Sequence, residues 1–178
     1  QMQQPIQALE LVEKAIEIDA HRVGFWVQKS NLLRALKRLD ASQEAIQTGL
    51  RLDPKNPGIL AARANLSFEL GDLDHAEAVA RQALMGNKKL VGIWILLAKT
   101  QIFKGAQIDA LHSLEQAEAI DPEHLQIKNL KAQILFNEGA HARGLGLSQE
   151  VFTTPPRFRT DQDWTNLEES LLLALESL

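Results

Sequence analysis

Cysteine is absent from the 178-residue sequence, and so is tyrosine. Without cysteine the chain has no disulfide, no thiolate nucleophile and no Cys-ligated zinc site. A chain without thiols tolerates an oxidising or a reducing compartment. The localisation therefore stays unknown at this point, and we expect a soluble protein of the cytoplasm or the periplasm.

Strong net charge and long apolar runs are also missing. The formal net charge is -4, which gives no positive field to attract phosphate backbones. Charged residues or glycine interrupt every apolar run well before the roughly 18 residues that a membrane span needs. We therefore predict that the partner is not a nucleic acid and that the chain does not insert into a membrane.

Catalytic and metal-binding motifs are not found in the sequence. The five histidines are His21, His75, His112, His124 and His141, and no two have the four-residue spacing of a helical zinc motif. Unclustered histidines of this kind are typical of solvated surfaces. We predict no catalytic residues, no cofactor and no metal, and hence a protein that is not an enzyme.

Proline and glycine are few, with six and ten copies, but their spacing is regular. Pro54, Pro122 and Pro156 are separated by two steps, the first of them twice as long as the second. Other residues recur at the shorter step or, for the tryptophans, at twice that step. They are Gly71, Gly105 and Gly139; Gly24, Gly58 and Gly92; Trp26 and Trp94; and Ser30, Ala64, Ala98 and Ala132. A fixed period of about 34 predicts stacked helical hairpins.

Within one period, two helical patterns flank a short interruption. Apolar residues follow helical spacing from Ile59 to Phe68 and again from Leu73 to Leu84, with Leu70-Gly71-Asp72 between them. Glycine suits a left-handed residue at the end of the first helix, and an aspartate can accept hydrogen bonds from the free amides of the next. The sequence therefore predicts two helices joined by a tight turn.

This pattern resembles the tetratricopeptide repeat (TPR) family, most closely in the third repeat through Trp94, Leu97, Ala98, Gly105, Ala110, Ala117 and Pro122. The resemblance implies an all-α fold, a right-handed α-solenoid (superhelix) of TPR helical hairpins with a C-terminal capping helix. The fourth repeat departs most, with Lys128 where tryptophan is usual and Gly144 where alanine is usual.

The resemblance divides residues 1–178 as a single array. The predicted segments are 4–22 as the second helix of a partial repeat, 23–56, 57–90, 91–124 and 125–158 as full repeats, and 161–178 as the capping helix. Because arrays seldom begin on half a repeat, we expect the chain to be a fragment, or a mature product, of a longer protein. The capping helix carries Trp164, Leu171, Leu172, Leu173 and Leu175, a leucine-rich surface that offers a route to self-association.

In the TPR family, the first helix of each repeat lines a concave groove. The resemblance therefore assigns a peptide-binding groove to twelve residues: Asn31, Arg34, Asn65, Phe68, Ile95, Lys99, Ile102, Phe103, Asn129, Gln133, Phe136 and Asn137. Asn31, Asn65, Lys99 and Gln133 are spaced one period apart, and each can donate hydrogen bonds to the backbone carbonyls of a peptide.

Three functions are compatible with this sequence. The first is a noncatalytic protein–protein interaction scaffold that binds a peptide or helix in the groove. The second is a substrate-recruiting or regulatory arm of an enzyme whose catalytic domain lies outside this chain. The third is a structural oligomerisation module.

Overall fold

A computed structural model describes residues 3–140 and 143–148 of the chain. Its eight long helices are α1 (Gln3–Ile18), α2 (Val23–Ala35), α3 (Leu39–Leu52), α4 (Pro57–Glu69), α5 (Leu73–Gly86), α6 (Val91–Phe103), α7 (Gln107–Ile120) and α8 (Leu125–Asn137). Residues 143–148 are also helical, and the described ranges contain no strand. The predicted all-α fold is confirmed. The predicted helix at 161–178, with its leucine-rich surface, lies outside the described residues.

The helices recur with the period of the sequence. The first helices of the hairpins, α2, α4, α6 and α8, begin at residues 23, 57, 91 and 125. The second helices, α3, α5 and α7, begin at residues 39, 73 and 107. The assignment of whole repeats to 23–56, 57–90, 91–124 and 125–158 remains a prediction.

The turns inside the hairpins have the predicted left-handed residue. Gly71, Gly105 and Gly139 have φ values of 80, 76 and 74°, a region in which a Cβ atom is strained. In the first hairpin Lys37 occupies the same position with a φ of 58°. Asp72 Oδ1 accepts a hydrogen bond from the backbone amide of His75 at 3.1 Å, so it caps α5 as expected.

The chain divides into two compact units, residues 1–96 and 97–178. In the first unit, α2 packs against α1, α3 and α4, and α4 packs against α3 and α5. One core cluster joins Ile46 on α3 to Ile59, Ala62 and Leu66 on α4. A second cluster joins Leu9, Leu33 and Ala45. Each hairpin thus buries its apolar stripes against its neighbours.

Small residues occupy buried positions between the helices of this unit. Ser30 and Ala64 are 1% and 0% exposed. A Cβ atom added to Gly49 would lie only 2.6 Å from Ile59 Cδ1, closer than packed carbon atoms approach. Ser42 Oγ donates to the backbone carbonyl of Ser30 at 2.9 Å, so the buried hydroxyl links α3 to α2.

The two tryptophans of the periodic pattern have a shared role in the structure. Trp26 Nε1 donates to the carbonyl of Ala20 at 2.8 Å, and Trp94 Nε1 donates to the carbonyl of Lys88 at 2.9 Å. Each indole therefore connects a first helix to the turn that precedes it. Such a partner is what a partly buried indole nitrogen requires.

In the second unit, a core cluster forms around the ring of Phe136 on α8. Phe136 is buried and packs against Ala132 and Leu147. A Cβ atom on Gly144 would lie 2.9 Å from Phe136 Cε1, so the unusual glycine of the fourth repeat leaves room for this ring. Between α7 and α6, Ser113 Oγ donates to Gln101 Oε1 at 2.8 Å, with both side chains buried.

We predict that Ala132→Leu destabilises the fold by about 1 to 3 kcal/mol, because a larger side chain overpacks the core. Ala132 is 0% exposed. Urea unfolding measures the change, with Gln116→Leu on the exposed side of α7 as the control. Equal free energies of unfolding for the two variants would contradict close packing at Ala132.

We also predict that Gly71→Ala costs about 1 kcal/mol, because its φ of 80° is strained for any residue with a Cβ atom. No atom lies within 4 Å of the added Cβ, so the cost is one of backbone conformation. Gly24→Ala is the matched control, since Gly24 is helical, has equally open surroundings and should gain about 0.5 kcal/mol. Thermal unfolding of both variants tests the difference in sign.

Candidate functional site

In the first unit, the two stacked first helices present neighbouring amide side chains. Asn31 on α2 is exposed, and its side chain makes no hydrogen bond with any described residue. Asn65 on α4 is half-buried, and its Nδ2 donates to the carbonyl of Ala61 at 2.9 Å. The amide oxygen of Asn65 and both polar atoms of the Asn31 side chain are thus available to a ligand.

Arg34 has a structural partner that the sequence analysis missed. Its guanidinium pairs with the carboxylate of Glu69 on α4, and Lys37 Nζ approaches the same carboxylate at 3.3 Å. The side chains of Arg34 and Glu69 are only 28% and 22% exposed, so water screens the pair incompletely. The two residues are one period plus one residue apart in the chain, and this spacing was a usable signal.

In the second unit, the exposed side of the first helices combines a cation, an amide and an aromatic ring. Lys99 and Gln133 are half-buried, and neither side chain has a polar partner among the described residues. Phe103 is 71% exposed, Ile102 is half-buried and Asn137 is exposed. Burial lowers the pKa of the Lys99 ammonium below its ordinary value of 10.5, because the charged form loses hydration.

Three of the twelve predicted groove residues are buried, so their side chains do not reach the surface. Ile95, Asn129 and Phe136 are 3%, 2% and 5% exposed. Asn129 and Phe136 lie three residues before and four residues after Ala132, which places all three on one stripe of α8. That stripe packs into the core, and Ile95 occupies the equivalent place next to Ala98.

Asn129 is unusual among these buried residues. Neither its Nδ2 nor its Oδ1 has a hydrogen-bond partner among the described residues.

Phe68 on α4 is half-buried, so part of its ring remains accessible. Nine of the twelve predicted residues therefore keep exposed or half-buried side chains.

The histidines only partly match the prediction of surface positions. His21 and His112 are exposed, whereas His75 and His124 are half-buried. His75 Nδ1 is 2.7 Å from Ser67 Oγ, so its ring is held against α4. His141 lies outside the described residues. Within those residues, His, Asp and Glu form no group of three that could hold a metal ion.

Comparison with known proteins connects this geometry to a known fold. The family model described as tetratricopeptide repeat matches residues 1–66. The structure of TTC0263, a thermophilic TPR protein of Thermus thermophilus, has a TM-score of 0.78 at 17% identity, and the match covers 97% of this chain and 100% of that chain. The chain has a tetratricopeptide-repeat fold.

Two further solved structures extend the comparison. YrrB, described as a TPR protein with an unusual peptide-binding site, has a TM-score of 0.68 at 19% identity, with 96% of this chain and 90% of that chain covered. A chain of the APC/C hetero-tetramer Cut9-Hcn1 has a TM-score of 0.82 at 12% identity, with 99% of this chain and 35% of that chain covered.

No curated protein sequence matches this chain. Among the described residues, no TPR helix is both long and apolar enough to cross a membrane.

We predict that Lys99→Met makes the TPR fold more stable at pH 7, and that this gain shrinks as the pH approaches 10.5, the ordinary pKa of lysine. The folded-state pKa lies below the unfolded one, so in this range the unfolded state binds more protons and the wild type gains stability with rising pH. Methionine keeps the length and helix propensity of the side chain.

Free energies of unfolding at pH 7 and pH 10 test this prediction. Lys14→Met, at an exposed position of α1, controls for the loss of one positive charge. A gain from Lys99→Met that is the same at both pH values would contradict desolvation of the ammonium as its cause.

Proposed function

We propose that the protein is a noncatalytic protein–protein interaction scaffold that binds a peptide segment of a partner through the first helices of its repeats. The observation that carries the proposal is the series Asn31, Asn65, Lys99 and Gln133. These residues stand one period apart, and all four have exposed or half-buried side chains. The peptide-binding site described for YrrB, which has the same fold, supports this interpretation.

In the first unit the geometry suits an extended backbone. Neighbouring packed helices lie about 8 to 10 Å apart, which is about the length of three residues of extended peptide. Asn31 and Asn65 are on adjacent helices, α2 and α4. Their amides therefore reach backbone groups about three residues apart and bind a peptide without selecting among its side chains.

In the second unit the same kind of surface adds selectivity. Lys99 and Gln133 supply hydrogen-bond donors, and Phe103 supplies a large exposed apolar surface. An acceptor from a ligand favours the charged form of Lys99, whose hydration burial has reduced. A peptide with a hydrophobic residue next to an acceptor fits these groups, because one anchor and a few hydrogen bonds carry most of the affinity at such sites.

The remaining groove residues have supporting roles in this proposal. Arg34 is held by Glu69, so it stabilises the α2–α4 face and does not offer a free cation. Phe68, Ile102 and Asn137 extend the accessible surface around the hydrogen-bonding series.

The triple variant Asn31→Ala, Asn65→Ala, Gln133→Ala tests the proposal. The probes are peptides selected on the wild-type protein from a displayed random library, with affinities measured by fluorescence anisotropy. We expect at least about a tenfold loss of affinity, because hydrogen bonds contribute about 0.5 to 1.5 kcal/mol each. The melting temperature should stay nearly unchanged, since exposed positions contribute little to stability.

A matched variant on the second helices provides the control. Gln82, Glu115 and Gln116 are exposed on α5 and α7, and their replacement by alanine should leave the affinity unchanged. Equal binding by the first-helix variant, or an equal loss in both variants, would show that the selected peptides bind elsewhere.

A further inference from the structure

A pocket of about 270 Å³ lies in the first unit, where α3 meets α4 and the start of α5. We call it the Arg63 pocket. Its lining includes one cation, two amides and an apolar floor: Arg63, Gln43, Gln47, Ile46, Leu66 and Leu70. Arg63 and Asn65 are two residues apart on α4, about 200° around the helix, so the pocket and the amide surface occupy opposite sides of α4.

The cation of this pocket has no acidic partner. Arg63 is half-buried, and its guanidinium makes no ion pair or hydrogen bond with any described residue. Gln43 and Gln47 are exposed, and their side chains also make no hydrogen bond within the described ranges. Three hydrogen-bonding side chains thus surround the pocket with unused capacity.

At the equivalent positions of two other hairpins, the cation pairs with a carboxylate that Arg63 lacks. Lys29 stands one period before Arg63, and its Nζ is 2.8 Å from Glu13 Oε1. Lys131 stands two periods after Arg63, and its Nζ is 2.6 Å from Glu118 Oε2. In both cases the preceding helix supplies a carboxylate. The residue one period after Glu13 is Gln47, so a neutral amide faces Arg63 where the neighbouring hairpin has an acid.

A corresponding pocket lies among α1, α2 and α3, with a volume of about 260 Å³ and with Glu13 and Lys29 among its lining residues. There Lys29, the residue equivalent to Arg63, is already neutralised by Glu13. In the Arg63 pocket the guanidinium keeps its charge and its planar array of donors, which matches a carboxylate in two parallel hydrogen bonds.

The rest of the pocket sets the spacing of the ligand groups. Arg63 and Leu70 are seven residues apart on one stripe of α4, about 10 Å along the helix axis. That length accommodates about three residues of extended chain, in which side chains two positions apart point the same way. When an acidic side chain of the bound peptide pairs with Arg63, the peptide side chain two residues away lies over the apolar floor formed by Ile46, Leu66 and Leu70. An aliphatic residue suits that position.

The far end of the pocket favours one direction of the peptide. Asp72 lines this end, and its carboxylate caps α5 through the amide of His75 at 3.1 Å. The His75 ring is held by Ser67 Oγ at 2.7 Å. The negative charge of Asp72 repels a ligand carboxylate, which leaves the Arg63 end as the place for the acid.

We propose that the Arg63 pocket is a second docking site, which binds an internal, extended segment of a partner protein with a Glu or Asp two residues from a Leu or Ile. Gln43 and Gln47 hydrogen-bond to the backbone of this segment. The site is independent of the amide surface on α2 and α4, so either proposal can fail without the other.

NMR titration with the capped peptide N-acetyl-Ala-Glu-Thr-Leu-Ala-amide tests the proposal. We expect weak, saturable binding at peptide concentrations up to about 5 mM, with shifts at the side-chain resonances of Arg63, Gln43 and Gln47. Replacing the peptide Glu by Gln should weaken binding about tenfold, because a charge-assisted hydrogen bond is lost. A peptide without Glu but with a free terminal carboxylate should bind no better than the Gln peptide.

Two protein variants should abolish the binding for different reasons. Arg63→Leu removes the cation and installs the residue type found one period later, at Leu97. Gln47→Glu keeps the cation but gives it the internal acid that Lys29 has. Arg51→Leu, which removes an exposed arginine of α3 outside the pocket, should bind normally, and circular dichroism verifies that all three variants fold.

Several results would overturn the proposal. They are the absence of shifts at the highest concentration, binding that survives Arg63→Leu, binding that is lost in the Asn31→Ala, Asn65→Ala variant, and preference for the terminal carboxylate. Concentration-dependent shifts without peptide that Arg63→Leu removes would identify a second copy of this chain as the occupant instead.

Discussion

Close approach of helices at small buried residues is the constraint on which the described hairpins depend. Ser30 and Ala64 in the first unit, and Ala132 in the second, are almost fully buried. Helices of 13 or 14 residues are marginal alone in water. They persist because each one packs an apolar stripe against its neighbours, and a small side chain at the contact lets the two backbones come close enough.

The same packing determines which polar side chains become available to a partner. A repeated hairpin places equivalent residues in equivalent surroundings, and a cation stands at the same position of the first helix in three hairpins, at Lys29, Arg63 and Lys131. Where the preceding helix carries a carboxylate, as for Lys29 and Lys131, the fold satisfies the charge. Where it carries Gln47, the charge of Arg63 stays available. The unpaired cation of the Arg63 pocket thus arises from a departure from the repeat, whereas the series Asn31, Asn65, Lys99 and Gln133 follows the repeat.

Much of the fold could be predicted because the same pattern of residues recurs in successive hairpins, so each hairpin supports the assignment of the others. The turn glycines have the expected left-handed conformation, and Asp72 caps the helix it was expected to cap. The candidate site was less predictable. Asn129 and Phe136 were expected at a surface but lie on the stripe of Ala132, since residues three and four apart share one side of a helix and one neighbour decides whether that side is covered.

Lys37 shows the limit of motif reasoning at a single position. It occupies the turn position held by glycine in later hairpins, with the same left-handed backbone, although its residue type disfavours that conformation. The surrounding helices fix the turn, and local propensity yields to them.

The order of the amino acids was enough to establish the helical hairpin, its period and its turns, because these follow from local spacing and from backbone preferences of glycine, proline and aspartate. Which charged side chains form ion pairs could be read only from the packed helices. Arg34 is held by Glu69, while Arg63 makes no ion pair with any described residue. Such pairing depends on distances between different helices, and these distances are fixed only once the helices pack.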